Sequence, residues 1–111
     1  MYPPWELINI DKGIQEHVRI LNDKGYLTEY SCESHSPHDN IYIMLYGKYD
    51  SVVNTPAPNG FKYIKSTKII EHSYNKKISA EDFEAEKKMC LDNLLEWCKS
   101  LPERINTNKR K

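Results

Sequence analysis

No stretch of the chain approaches the roughly 20 consecutive apolar residues that a membrane span requires. The start, MYPPWELINI, has neither the basic region nor the apolar core of a secretory signal. A cytoplasmic protein without a membrane partner is therefore expected. Glycine is scarce: Gly13, Gly25, Gly47 and Gly60 stand alone, which excludes the glycine-rich loops that cradle phosphates. Cysteine is scarce and odd in number. Cys32, Cys90 and Cys98 form no C-x-x-C pair, so reduced thiols are expected and a disulfide framework is not. Charge of one sign is missing as well. With 16 basic and 16 acidic side chains the chain projects no strong field toward a polyelectrolyte, and direct nucleic-acid binding is not expected.

What is present is enough for one core. The apolar fraction of 39% in 111 residues fills a single domain, expected over residues 1–102, with a basic, disordered tail at 103–111. Charge is unevenly spread: four Lys/Arg face eight Asp/Glu before residue 60, and twelve face eight after it. Such a division suits a protein partner with complementary patches.

Tyr2 to Trp5 reads as a proline-stiffened aromatic arm that packs on the domain. From Asp11 to Lys24, Ile14, Val18 and Leu21 follow helical spacing, with Asp11 as the cap and Gly25 as the left-handed stop. Residues 26–32 and 41–49 read as strands, the second central to a sheet. Residues 61–65 and 68–74 read as two more. The loop NTPAPNG separates the pairs. A long helix begins at Ser79, with Asp82 completing a capping box and Ile78 and Phe83 a hydrophobic staple, and runs to Pro102. Cys90 and Cys98 fall on its apolar stripe as small hydrophobes. The fold expected is α+β: a mainly antiparallel sheet of about four strands flanked by an N-terminal and a C-terminal helix.

The chemistry is concentrated in SCESHSPHDN, residues 31–40, where Cys32, His35 and His38 recur every three residues between two strands. Zinc takes thiolate and imidazole ligands, and a turn held at both ends by strands can present several of them. His17 lies on the buried stripe of the first helix and needs a partner. That partner is a backbone carbonyl, a tyrosine hydroxyl, or a metal shared with the turn. The expected ligands are Cys32, His35, His38 and His17, with Asp39 and His72 as substitutes and Cys90 or Cys98 as further candidates to complete the set. A closed structural zinc site is expected, because H-E-x-x-H and H-x-E with P-C-x-x-C are both absent. Glu33, beside the first ligand, is expected to point away from it. The alternative is a small metal-dependent or thiol hydrolase with Cys32 as nucleophile and His35 or His17 as base, for which no oxyanion hole is evident. Tyr42, Tyr46, Tyr49 and Tyr63, with Lys62, Lys65 and Lys68, are candidates for one basic-aromatic binding face.

The run LNDKGYLTEYSCESH (21–35) resembles a family of small proteins from Gram-positive bacteria and their phages, in which L-N-x-K-G-Y leads into a cysteine and a nearby histidine. PAPNGFKY (56–63) and LLEWCKSLP (94–102) extend the likeness over most of the chain. That family tends to read C-C-x-G-H, whereas Ser31-Cys32 and Ser34 stand here, leaving Cys32 and His35 as the matched positions. The chain is also similar in size, composition and metal motif to zinc-containing anti-CRISPR proteins of streptococcal phages. This resemblance implies a non-enzymatic inhibitor acting in the bacterial host cell, with the type II RNA-guided effector nuclease as partner and blocked loading or cleavage of target DNA as the result.

Overall fold

A computed structural model describes residues 10–104. The aromatic arm lies outside the described residues, as does the tail beyond residue 104. A 3₁₀ turn at Lys12–Ile14 runs into α1 (Gln15–Asp23). There follow β1 (Thr28–Cys32), β2 (Ile41–Leu45), a one-turn helix α2 (Asp50–Val53), β3 (Lys62–Ile64), β4 (Ile69–His72) and α3 (Ala80–Ser100). The strands form one antiparallel sheet in the order β1-β2-β4-β3, so β2 is central. This is the expected α+β architecture. The short α2 has no counterpart in the sequence reading.

Helix limits follow from their caps. α1 ends with the bonds Tyr26 N–H to Leu21 C=O and Gly25 N–H to Asn22 C=O, the paired closure that needs a left-handed residue, and Gly25 supplies it at φ +97°. α3 begins where Ser79 Oγ accepts the Asp82 N–H at 3.1 Å. Asp11 departs from its expected role: its side chain makes no cap bond to the helix it precedes.

Directly paired residues of an antiparallel sheet share a face. Ile41, Ile43, Leu45 and Ile70 point to the helices and are buried in one core with Ile14, Val18, Leu21, Leu94 and Cys98. Cys90 and Cys98 belong to that core as small hydrophobes, and burial pushes their thiols up to about 11 and about 12. The opposite face carries Tyr30, Tyr42, Met44, Ile64 and Ile69, none of them fully buried, with Lys62 3.7 Å from Glu71 among them. Cys32 pairs with Tyr42 and so lies at the edge of this second face. The four tyrosines do not form a single surface. Tyr63 pairs with Ile70 on the helix-covered side, and Tyr49 sits edge-on to Tyr26 beneath the Arg104 guanidinium. Strand alternation divides residues that a linear reading groups together.

The ends of the two long helices are joined by a lysine. Lys24, just past α1, directs its ammonium to the carbonyls of Cys98, Lys99 and Leu101 at 3.1, 2.5 and 2.6 Å. These are carbonyls that the end of α3 cannot satisfy itself, and a cation there also meets the negative end of the helix dipole. Lys24→Met is expected to cost about 1.5–3 kcal/mol, the value of hydrogen bonds to a charged group, read as a lower urea midpoint at unchanged m-value.

Candidate metal centre

The turn after β1 and the segment before α1 exchange side chains. Asp11 Oδ2 accepts the Glu33 N–H at 3.1 Å, and Glu33 Oε1 accepts the Gly13 N–H at 2.8 Å. Each carboxylate thus satisfies a backbone donor of the other's segment. The carboxylate that would have capped α1 is drawn to the turn, and Glu33 takes its place at the 3₁₀ turn. Gly13 permits this approach, since a Cβ there would lie 2.9 Å from the Glu33 carboxyl. Lys87 on α3 completes the clasp, its Nζ 3.0 Å from Glu33 Oε2 with both side chains largely covered. Burial alone would raise the Glu33 pKa, but the Gly13 N–H and the Lys87 ammonium hold it below the ordinary carboxylate value. Glu33 is thus engaged with Gly13 and Lys87 and is not among the converging donors.

This clasp brings Asp11, Cys32 and His35 together, with one donor atom from each, all within 4.8 Å of one another. Asp11 Oδ2 is 3.1 Å from His35 Nε2. The Ser34 N–H points at Cys32 Sγ at 3.3 Å. Two successive backbone donors, Glu33 N–H and Ser34 N–H, are therefore aimed at the carboxylate and the sulfur. Adjacent peptide N–H groups of this kind form a concavity suited to anionic atoms. Ser34 gives the turn its shape: it is fully buried, sits at φ +78°, and donates Oγ–H toward the carbonyls of Ser36 and Asp39 at 3.0 and 2.9 Å.

Of the expected ligands, Cys32 and His35 meet. His38 is exposed and His17 lies elsewhere, and neither joins the group. His17 Nε2 instead lies 2.8 Å from the Leu91 carbonyl of α3, so that nitrogen carries the proton. Its Nδ1 is buried without a hydrogen-bond partner among the described residues. Burial lowers the His17 pKa, against the raising effect of Leu91 C=O. Folded His17 therefore resists a proton that the unfolded chain accepts below about pH 6.5. The unfolded state binds more protons there, and stability falls as pH falls through that value, by at most about 1.4 kcal/mol per pH unit. His17→Gln is expected to flatten this limb in urea titrations at successive pH values.

The substitutes are also engaged. His72 places Nδ1 2.6 Å from Gly60 C=O and Nε2 2.7 Å from Glu86 Oε2, which occupies both ring nitrogens. Asp39 contributes its backbone to the Ser34 turn, and its side chain is not in the group. Asp11 is the member of the converging group that sequence reasoning did not include. Its position before an amphipathic run signals a helix cap, and only the antiparallel return of β1 reveals the other use.

The donor set fits a borderline divalent cation. Thiolate, imidazole and carboxylate together suit zinc or cobalt better than magnesium or calcium. Tetrahedral zinc separates its ligands by roughly 3.3–3.8 Å, given its usual bond lengths. The three donors lie within 4.8 Å of one another, with the Asp11–His35 pair at 3.1 Å. The same side chains also have the composition of a thiol-hydrolase triad. Burial, however, pushes the Cys32 thiol up, with the Ser34 N–H opposing and the charges of Asp11, Asp39 and Glu33 adding to the rise, whereas a nucleophilic cysteine needs a depressed value. No helix among the described residues is long and apolar enough to cross a membrane. No protein-family model matches the sequence, and no curated protein or solved structure matches it.

Proposed function

We propose that this chain is a non-enzymatic protein-interaction module stabilised by a divalent metal, most simply zinc, held by Asp11, Cys32 and His35. The observation that supports it is the convergence of those three donors at a turn whose two backbone N–H groups face the anionic ligands. Bound there, the cation would tie the segment before α1 to the end of β1 and so join helix to sheet. In a small domain, a structural metal contributes directly to folding. The sheet face beginning at Cys32, on which Tyr30 is exposed and Tyr42 and Met44 are partly exposed among the described residues, offers the large amphipathic side chains that interfaces favour.

The partner proposed is the type II RNA-guided nuclease of a bacterial host, and it comes from the sequence resemblance alone. Pull-down by the tag-free protein tests it. Capture is expected with wild type and a sharp loss with Tyr30→Ala/Tyr42→Ala. Absence of capture with a correctly folded, metal-loaded protein would remove that partner. A second reading, thiol hydrolysis with Cys32 as nucleophile, His35 as base and Asp11 as orienting group, is favoured by the 3.1 Å Asp11–His35 contact. It requires that Cys32→Ser stay folded while losing turnover on an ester, and that metal inhibit the wild type.

A further inference from the structure

On the side of the sheet away from the helices, two rows of paired residues run across all four strands. One row is Tyr30–Met44–Ile69–Ile64, apolar throughout, and the other is Cys32–Tyr42–Glu71–Lys62. Tyr30 and Lys62 are exposed and the other six are partly exposed. The apolar row ends in opposite charges. A bulge in β1 leaves Glu29 as an extra, exposed residue beside Tyr30, and the turn that follows Ile64 carries Lys65 and Lys68. Extension of the sheet through its edges is disfavoured, because the bulge interrupts β1 and β3 is only three residues long with Lys62 exposed on it. The face, not the edge, is the contact surface.

Turned over onto a copy of itself, this face is self-complementary. Two aligned arrangements of stacked sheets have twofold symmetry. An axis across the strands sets the charged row on the apolar row, with Glu71 over Ile69 and Lys62 over Ile64. An axis along the strands keeps each row over itself. Tyr30 then meets Ile64, Met44 meets Ile69, the Tyr42 hydroxyl meets the Glu71 carboxylate, and Glu29 meets Lys65 and Lys68. We propose that this face binds a second copy of the chain, sheet on sheet, about a twofold axis along the strands. The dimer requires no metal, and it competes with any partner that uses Tyr30 and Tyr42. With strands about 4.8 Å and residues about 3.3 Å apart, the patch spans only about 19 by 13 Å, small against the ~800 Å² per partner of a standard interface. Association is therefore weak and reversible.

Sedimentation velocity on the tag-free full chain, from about 10 μM to about 1 mM, spans the dissociation constants expected of such an interface. A monomer–dimer equilibrium is expected. Tyr30→Glu puts a charge into both symmetry-related apolar contacts and should weaken the dimer by about 30-fold or more, the size of an interface hot spot. Glu29→Lys and Lys65→Glu/Lys68→Glu should each weaken it by about fivefold, and the three changes together in one chain should restore it. Glu29, Tyr30 and Lys65 are exposed, so the variants should melt with wild type in dilute solution, where both are monomeric. A chain that stays monomeric throughout overturns the proposal, as does a dimer that Tyr30→Glu leaves intact. A dimer weakened by both charge changes and not restored by their combination also overturns it, because Glu29 would then not face Lys65 and Lys68 of the second copy. Zinc-dependent melting is a separate readout, so the metal-binding reading stands or falls independently of these results.

Discussion

Zinc is expected to raise the melting temperature of the tag-free protein, and the rise is expected to vanish in Cys32→Ala and in Asp11→Ala. A ligand that binds only the folded chain stabilises by about 2.7 kcal/mol at a hundredfold excess over its Kd. In a domain of this size that is a shift on the order of 10 °C. Asp11→Ala is the sharper variant, because a cap residue and a metal ligand predict different things. Loss of a cap lowers stability equally with and without zinc. Loss of a ligand removes the zinc-dependent part, and the structure assigns Asp11 no cap bond. His38→Ala should keep the zinc-dependent gain, since His38 is not among the converging donors. The gain should also grow with pH. The Cys32 thiol is raised, by burial first and then by neighbouring carboxylates, so binding must displace its proton, and affinity rises roughly tenfold per pH unit for each proton released. A zinc-independent melting temperature in wild type, or an equal shift in Cys32→Ala, rules the centre out.

The parts of the fold that local rules govern were legible in the sequence. Helical spacing of Ile14, Val18 and Leu21, the left-handed Gly25, the Ser79 cap and the alternation of Ile41, Ile43 and Leu45 each rest on contacts within a few residues. The candidate site was half legible, for a related reason. Cys32 and His35 share a turn and carry their own spacing signal. Asp11 lies 21 residues before Cys32, and nothing in its neighbourhood separates a helix cap from a ligand. That choice is made by the sheet register, which brings the Glu33 N–H within reach of its carboxylate. His17 illustrates the converse. Helical periodicity placed it correctly on the buried stripe, but its partner is a carbonyl 74 residues away on α3, so it meets the middle of the other helix and not the turn. The split of the tyrosines has the same origin, because face assignment depends on pairing between strands and not on nearness in the chain.

Glu33→Ala should be the most damaging single change near the site, although Glu33 is not one of the three donors. Its carboxylate bonds the Gly13 N–H at 2.8 Å and the Lys87 ammonium at 3.0 Å, and both partners in that ion pair are less than a fifth exposed. Removal leaves a largely covered ammonium and a backbone donor without acceptors. Breaking a fully buried pair costs 3–5 kcal/mol, and the remaining exposure brings the expectation here to about 2–3 kcal/mol. Glu33→Gln keeps an acceptor for Gly13 and loses only the charge, so it should fall between Glu33→Ala and wild type. Glu33→Gln/Lys87→Met should be less destabilised than the sum of its single changes, as expected for residues in direct contact. The acid limb gives an independent sign. Glu33 is held below its unfolded value of about 4.3, so its stabilisation is complete above that pH and is lost as pH falls through the folded value. Wild type should therefore lose stability more steeply in acid than Glu33→Gln. Because the same residue fixes the peptide whose N–H holds Asp11, zinc affinity should drop by about 10–100-fold in Glu33→Ala with all three ligands still present. If Glu33→Ala melts within about 0.5 kcal/mol of wild type, the range of an ordinary surface change, the clasp does not organise the turn, and the convergence of Asp11 with Cys32 and His35 loses its physical cause.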